Sequence, residues 1–529
     1  MTAPRFDVAV VGGGHNGLVA AAYLARAGRR VVVLERREVL GGACVTEETW
    51  PGFKVSSAAY VVSLLRPAIV RDLELARHGF RVLPRSPSSF TPLPDGRSLL
   101  LGPDPKLNHA EVARFSRRDA DRLPTYEAFL ERVARALEPL LDAPPPDPFS
   151  RRPMELLRAA AAGLRLHRLG QDGPPAVEML TGAARPILER WFESEPLRAT
   201  LATDAVIGAL ASPSTPGTAY VLFHHVMGEA GGARGVWGYV QGGMGALSGA
   251  IAAAARQAGA EIRTGAEVAR VLVEDGRAAG VALASGEEVR ARAVASGADA
   301  HVTFLRLVGE RHLPADFAAA VRAIDHGSAS LKINAALSEL PDFRAAPGSA
   351  PAPHHRGTIH VSPDLDHIER AFHDALLGRP SRAPVLEVTL PSVVDPTVAP
   401  PGMHLMNVFV QYAPYRLAEG TWEEERERFA DRCLDLLAEY APNVKRAVVH
   451  REVLAPPDLE RRFGLTGGNI FQGAMAPNQL FFLRPVAGWS GHRTPVDGLY
   501  LCGSAAHPGG GVLGAPGRNA AAVILRDLR

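Results

Sequence analysis

Apolar residues in this chain cluster in short runs that stop at glycines. Residues 8–11 form such a run, as a parallel strand buried on both faces does. Residues 18–27 are rich in Ala and Leu and predict a helix closed by Gly28. Residues 31–34 predict a second buried strand, which ends on Glu35. The pattern resumes later with a helix over 245–258, a strand over 261–263, a strand pair turning at Asp275–Gly276 and a strand over 289–294. A last strand over 499–502 meets Gly503 and Ser504, and a final helix is predicted over 518–528. Strand-like runs at 329–335, 385–390 and 405–412 suffice for a second sheet.

Two helices have a distinct polar face. Thr421 and Glu424 have the spacing of a capping box, and Phe429, Cys433, Leu436, Leu437 and Tyr440 then share one face. Residues 151–170 form a basic helix candidate with Leu156, Leu157, Leu164 and Leu166. Its pattern predicts packing against the substrate side with the arginines in solvent. A position on a membrane surface is the second reading. Proline-rich stretches at 142–153 and 346–355 predict surface loops.

Composition narrows the function classes. The chain has 529 residues, 47% hydrophobic and 22% charged, with a net charge of +2. That balance gives no electrostatic reason to bind nucleic acid. Residues 8–25 carry no formal charge, yet His15, Asn16 and four glycines interrupt them, so a membrane span is not the expectation. No cleaved targeting segment is visible at the start, and the expectation is a cytoplasmic protein, with peripheral contact at the inner membrane face as the other reading. The cysteines, 3 in number, form no C-x-x-C pair, and His224–His225 and His354–His355 lack ligands at metal spacing. No metal site is expected.

The first fifty residues carry the sharpest chemistry. Gly12, Gly14 and Gly17 form G-x-G-x-x-G between a strand and a helix, and Glu35 tips the next strand. Gly12 permits the tight turn and Gly14 lets backbone approach a pyrophosphate at the helix N-terminus. Gly17 lets helix and strand pack closely, and Glu35 can accept from a ribose diol. Arg36 then leads to Gly41, Gly42 and Thr46, a second glycine turn that can approach the same pyrophosphate. Near the C-terminus Gly509, Gly511 and Gly514 repeat G-x-G-x-x-G, but no second strand with a terminal acid follows, so a separate NAD site is not expected. Those glycines can turn backbone N–H groups toward a flavin instead.

This arrangement resembles the glutathione reductase and amine oxidase superfamily of FAD proteins. Disulfide oxidoreductases of that superfamily carry a second cysteine five residues after the first, where this chain has Thr49. Cys44 is therefore expected to be a small, partly buried bystander without redox chemistry. The tail "LYLCGSAAHPGGGVLGAPG" is similar to phytoene desaturase-like oxidoreductases, and "PPDLERRFGLTGGNIFQGAM" is similar to their pyridine nucleotide-disulfide oxidoreductase domain-containing protein 2 branch. The resemblance implies an α/β fold, a Rossmann-type FAD-binding domain interleaved with an α+β substrate domain. The FAD-binding domain is expected over 1–65, 240–299 and 490–529, and the substrate domain over 66–239 and 300–489. The resemblance also implies that Val268 touches the adenine end and that Gly503, Ser504, Gly511 and Val512 face the flavin. Ser504 stands where many relatives carry an acid. His507, Arg484 and Tyr239 are candidate catalytic residues.

The expected function is FAD-dependent oxidation of a lipophilic small molecule, by hydride removal from a C–H or C–N bond. The alternatives are a carotenoid (phytoene-type) desaturase and a non-catalytic flavoprotein acting through a protein partner. A respiratory-chain partner follows from the resemblance alone.

Overall fold

Segments far apart in sequence converge on one strand. In the computed structural model, which describes residues 6–230 and 233–529, strand Phe6–Val11 is wholly buried. It pairs in parallel with Val31–Leu34 on one side and Glu288–Ser296 on the other. Glu261–Arg263 extends the sheet beyond Val31–Leu34, and Leu499–Leu501 extends it beyond Glu288–Ser296. The hairpin Val268–Glu274 with Arg277–Leu283 joins the first half of Glu288–Ser296. Val, Ala and Leu dominate these strands because both faces are covered. Helices His15–Arg26, Met244–Gln257 and Ala515–Asp527 bury Leu18, Leu24, Leu247, Ile251, Val523 and Ile524 against one face. The hairpin, Phe304 and Phe317 cover the other.

The second sheet has seven strands, in the order Val448–Leu454, Ser330–Leu337, His404–Gln411, Val385–Thr389, Thr358–Val361, Ser89–Pro92, Ser98–Leu101. Period-two alternation puts Leu331, Ile333, Leu386, Val388, Met406, Val408 and Val410 on one face. Helix Trp422–Tyr440 closes that face with Phe429, Cys433 and Leu437. The long helix Arg117–Leu141, with Leu123, Phe129, Leu130 and Val133 buried, anchors a separate helical layer.

Several expectations shift. The first and last helices start three residues earlier than predicted, at His15 and Ala515, because backbone N–H groups face outward there without a side-chain cap. Thr421 precedes its helix but makes no side-chain cap hydrogen bond. Residues 346–355 are not wholly a surface loop. Pro353–His355 turns inward and buries His354 and His355 beside Phe343. Helix Pro153–His167 forms as expected but buries none of its residues. Leu166 packs against the core of the helical layer, while Met154 is 65% and Leu157 64% exposed, so the helix packs along one edge only.

Gly17 shows how tightly the first turn is built. A Cβ there would collide with the Gly12 carbonyl oxygen. Gly17→Ala is expected to lower the apparent melting temperature, because neither backbone can yield. The exposed helical Gly249, whose Cβ would meet nothing within 4 Å, is the control. Gly249→Ala should hold or raise the melting temperature. Equal effects at both positions would contradict the close-approach account.

Candidate active site

Glu35 fastens the first glycine turn to the second. Its carboxylate accepts from Gly13 N–H at 2.7 Å and from Arg37 N–H at 2.9 Å. Gly41 N–H donates to the Gly13 carbonyl at 2.8 Å, and Gly14 bridges Gly41 as a parallel pair. Gly12, Gly41 and Gly42 all have positive φ, where glycine alone is unstrained. No side chain caps the helix that starts after Gly14, so its first N–H groups face the space between the two turns. A Cβ on Gly14 would meet only Gly41 O, at 3.9 Å. An uncapped helix start beside an open glycine cradle fits the pyrophosphate of a dinucleotide. Arg36 is occupied elsewhere, donating to the Arg461 and Arg462 carbonyls. Thr46 accepts from Gly245 N–H at 2.8 Å and so ties the second turn to helix Met244–Gln257.

Cys44 is fully buried, with Sγ 3.4 Å from the Met244 carbonyl. Burial pushes its thiol up to about 12, far from a reactive thiolate. Cys433 and Cys502 are buried too, and none of the 3 cysteines is disulfide-bonded.

The C-terminal segment reaches back to this turn. Asn16 Nδ2 donates to Ser504 Oγ at 3.1 Å, and Gly503 packs on Gly297. Arg484 is almost fully buried, and its three nitrogens all donate to main-chain carbonyls, including those of Phe471, Ala474, Gln479 and Ser504. It pins the segment 471–479 to the chain just beyond strand Leu499–Leu501. His507 is buried with Nε2 2.8 Å from the Leu140 carbonyl, and burial pushes its pKa down to about 3. The Tyr239 ring lies beneath Arg85, 5.6 Å from the guanidinium carbon. None of these three side chains lines the main cavity.

That cavity has a volume of about 440 Å³. One end is lined by Gly12, Gly14, Gly17, Glu35, Arg36, Gly41, Gly42 and Val268, and Ser504, Gly511 and Val512 also contribute. The other end is the second face of the second sheet, and sequence reasoning missed it. Lys332 and Glu387 both pair with Phe409, and His360 pairs with Glu387, so these four side chains form one row across four strands. Ser330, Thr358 and Gln411 continue the same face, all buried.

The row is densely ionisable for a buried surface. Lys332 Nζ has no hydrogen-bond partner and lies 3.3 Å from the Tyr60 ring centre. Burial holds this amine well below the usual lysine range. Tyr60 donates to Glu387 Oε2 at 3.2 Å. Burial, with Asp204 nearby, pushes Glu387 up to about 8 against the opposing pull of Tyr60, Arg85 and Lys332. His360 is held near 3 by burial and neighbouring Arg85, so its 3.7 Å approach to Glu387 is a neutral contact. At neutral pH the row thus holds a mostly protonated carboxyl beside an amine whose charge burial disfavours. The sequence signal was there, as polar residues two apart inside apolar strands: Ser330, Lys332, Asn334; Thr358, His360; Glu387, Thr389.

Comparison with known proteins agrees with this geometry. Residues 17–525 match the family model described as flavin containing amine oxidoreductase. The chain is 52% identical to pyridine nucleotide-disulfide oxidoreductase domain-containing protein 2 of Mus musculus, covering 99% of this chain and 94% of that protein. It is 26% identical to a phytoene desaturase (lycopene-forming) of Pseudescherichia vulneris, covering 98% of this chain and 99% of that one. Cyclohexylamine oxidase from Brevibacterium oxydans shares the fold with a TM-score of 0.58 at 18% identity, over 99% of this chain and 100% of that one.

Two substitutions separate the clamp from its bystander. Glu35→Ala leaves the Gly13 and Arg37 N–H groups without an acceptor, so flavin retained through gel filtration should fall severalfold. Cys44→Ser keeps the size of the side chain and should leave flavin content unchanged. Full retention in the first, or a large loss in the second, would reverse these roles.

Proposed function

The chain belongs to the flavin containing amine oxidoreductase family, an FAD-dependent oxidoreductase family, and from that premise we propose that it removes hydride from a C–H or C–N bond of a small molecule with an apolar body. The supporting observation is the single cavity that joins the glycine clamp to the buried row around Lys332 and Glu387. Bound FAD supplies the two-electron acceptor. On this reading Gly14, Gly41 and Gly42 hold the pyrophosphate with backbone, and Glu35 accepts from the ribose. Val268 meets the adenine end, and Gly511 and Val512 meet the flavin end. The sheet face and Phe471 keep water from the reacting bond. Glu387, held mostly protonated, can donate a proton, and Lys332 beside it can hydrogen-bond the substrate. Re-oxidation falls to oxygen or a quinone. No redox disulfide takes part, since Cys44 is buried and has Thr49 where a partner would stand.

A carotenoid desaturase is the second reading, favoured by the likeness to the Pseudescherichia vulneris protein. Against it, a wholly hydrocarbon occupant would leave Arg85, Lys332, Glu387 and Asp204 desolvated with nothing to satisfy them. Helix Pro153–His167, with Met154 and Leu157 exposed near Arg151 and Arg152, supports peripheral contact with a membrane face. Among the described residues no helix is long and apolar enough to cross a membrane.

Anaerobic mixing of the holoenzyme with panels of functionalised small molecules and of polyenes tests the proposal. Bleaching of the flavin by a member of the first panel is expected. Bleaching by polyenes alone would favour the desaturase. A flavin reduced by neither panel would favour a non-catalytic flavoprotein.

A further inference from the structure

Arg85 is the charged group that the oxidation chemistry above does not use. It is 4% exposed and lines the cavity. Its Nε donates to the Trp237 carbonyl at 3.3 Å and its Nη1 to Thr358 Oγ1. These contacts fix the plane of the guanidinium without neutralising it. Among the described residues no carboxylate forms an ion pair with it. A guanidinium does not lose its proton in a protein, so a buried one without a counter-ion is costly. Lys332, which lines the same cavity and lies against the Tyr60 ring, has no hydrogen-bond partner. Two basic side chains, both buried and both without an anion, face one space.

The acids nearby do not fill that role. Glu387 and Asp204 line the cavity, and burial raises both. Glu387 is engaged with Tyr60. His225 is turned to the main-chain carbonyls of Asp204 and Val221, and His360 faces Thr203. Burial disfavours the charge of both acids, whereas the Arg85 guanidinium keeps its proton and has no ion pair among the described residues, which leaves it the group in this corner that an anion would satisfy. The same cavity also carries apolar side chains, among them Leu201, Ile207, Trp237, Phe409, Ile470 and Phe471.

We propose that this corner is a carboxylate-binding subsite, so that the substrate is a carboxylic acid with an apolar body, paired through its carboxylate to Arg85 and hydrogen-bonded by Lys332. Its status as substrate, though not its binding, rests on the oxidoreductase reading above. A carboxylate held in the plane of the Arg85 fork can take a bidentate pair, which an ammonium point charge reproduces only in part. An incoming carboxylate would also accept from Lys332 Nζ, so both groups would be satisfied together.

Isothermal titration of the purified holoenzyme with phenylacetate and octanoate tests this, beside 2-phenylethylamine, octylamine and phenylacetamide. Saturable binding of the acids, tighter than that of the amines and the amide, is expected. Arg85→Met should weaken acid binding by about thirtyfold or more, and Arg85→Lys should restore part of the loss. Thr358→Val keeps the charge and releases one constraint on the guanidinium, so it should weaken binding less than Arg85→Met. It stands in for Arg85→Met if that variant does not fold. Preference for the amines, or equal acid affinity in wild type and the Arg85 and Thr358 variants, would overturn the subsite. The flavin absorbance of the same samples is read separately. Acid binding in protein without flavin would leave the subsite standing and overturn the oxidoreductase reading. Flavin-bearing protein that ignores the acids would do the reverse.

Discussion

The Glu35 carboxylate is the constraint on which the cofactor end depends. By accepting from Gly13 N–H and Arg37 N–H it holds the first glycine turn against the strand end that leads to the second. Gly41 can then donate to the Gly13 carbonyl, and the two turns face each other across backbone alone. A side chain at Gly17 or Gly41 would distort the turn that holds it, since its Cβ would meet the Gly12 carbonyl oxygen in the first and the Cys44 carbonyl oxygen in the second. The same closeness fixes helix His15–Arg26, and through Asn16 and Ser504 it fixes the returning C-terminal segment. One carboxylate thus coordinates pieces of chain nearly five hundred residues apart.

At the opposite end the constraint is a different one. The second sheet is buried on both faces, yet only one face is apolar. The side toward helix Trp422–Tyr440 is sealed by Leu, Ile, Val and Phe. The side toward the cavity carries lysine, glutamate, histidine, threonine and serine at negligible exposure. Burying so many polar groups, with Lys332 and Ser330 lacking any hydrogen-bond partner, opposes stability. Their retention is the physical mark of a surface shaped for an occupant rather than for packing. Arg484 shows the contrasting case: an equally buried cation whose nitrogens are all met by carbonyls, and which therefore braces the fold.

Much of the cofactor end was legible in the sequence because it depends on backbone. Glycines at fixed spacing, an acid at a strand end and a glycine pair beyond it report a geometry that side chains cannot disguise. Element boundaries at 15, 244 and 515 shifted by one to three residues, since uncapped helix starts leave no local signature. The substrate end was less legible. Tyr60, Arg85, Asp204, Lys332, His360 and Glu387 come from separate segments: strand register aligns Lys332, His360 and Glu387, and tertiary packing brings the other three to them. Alternation of polar with apolar residues in Ser330–Leu337 was readable, but it ordinarily marks a strand with one face in water. His507, Arg484 and Tyr239 drew attention by their closeness in sequence to cofactor segments. In the fold their side chains turn away from the cavity, which shows how poorly chain proximity predicts direction.

The central claim is that the glycine clamp holds FAD. Denaturing the purified protein and quantifying the released nucleotide tests it most directly. One FAD per chain is the predicted result. A chain that releases FMN, or no flavin after saturation with FAD, would contradict the account.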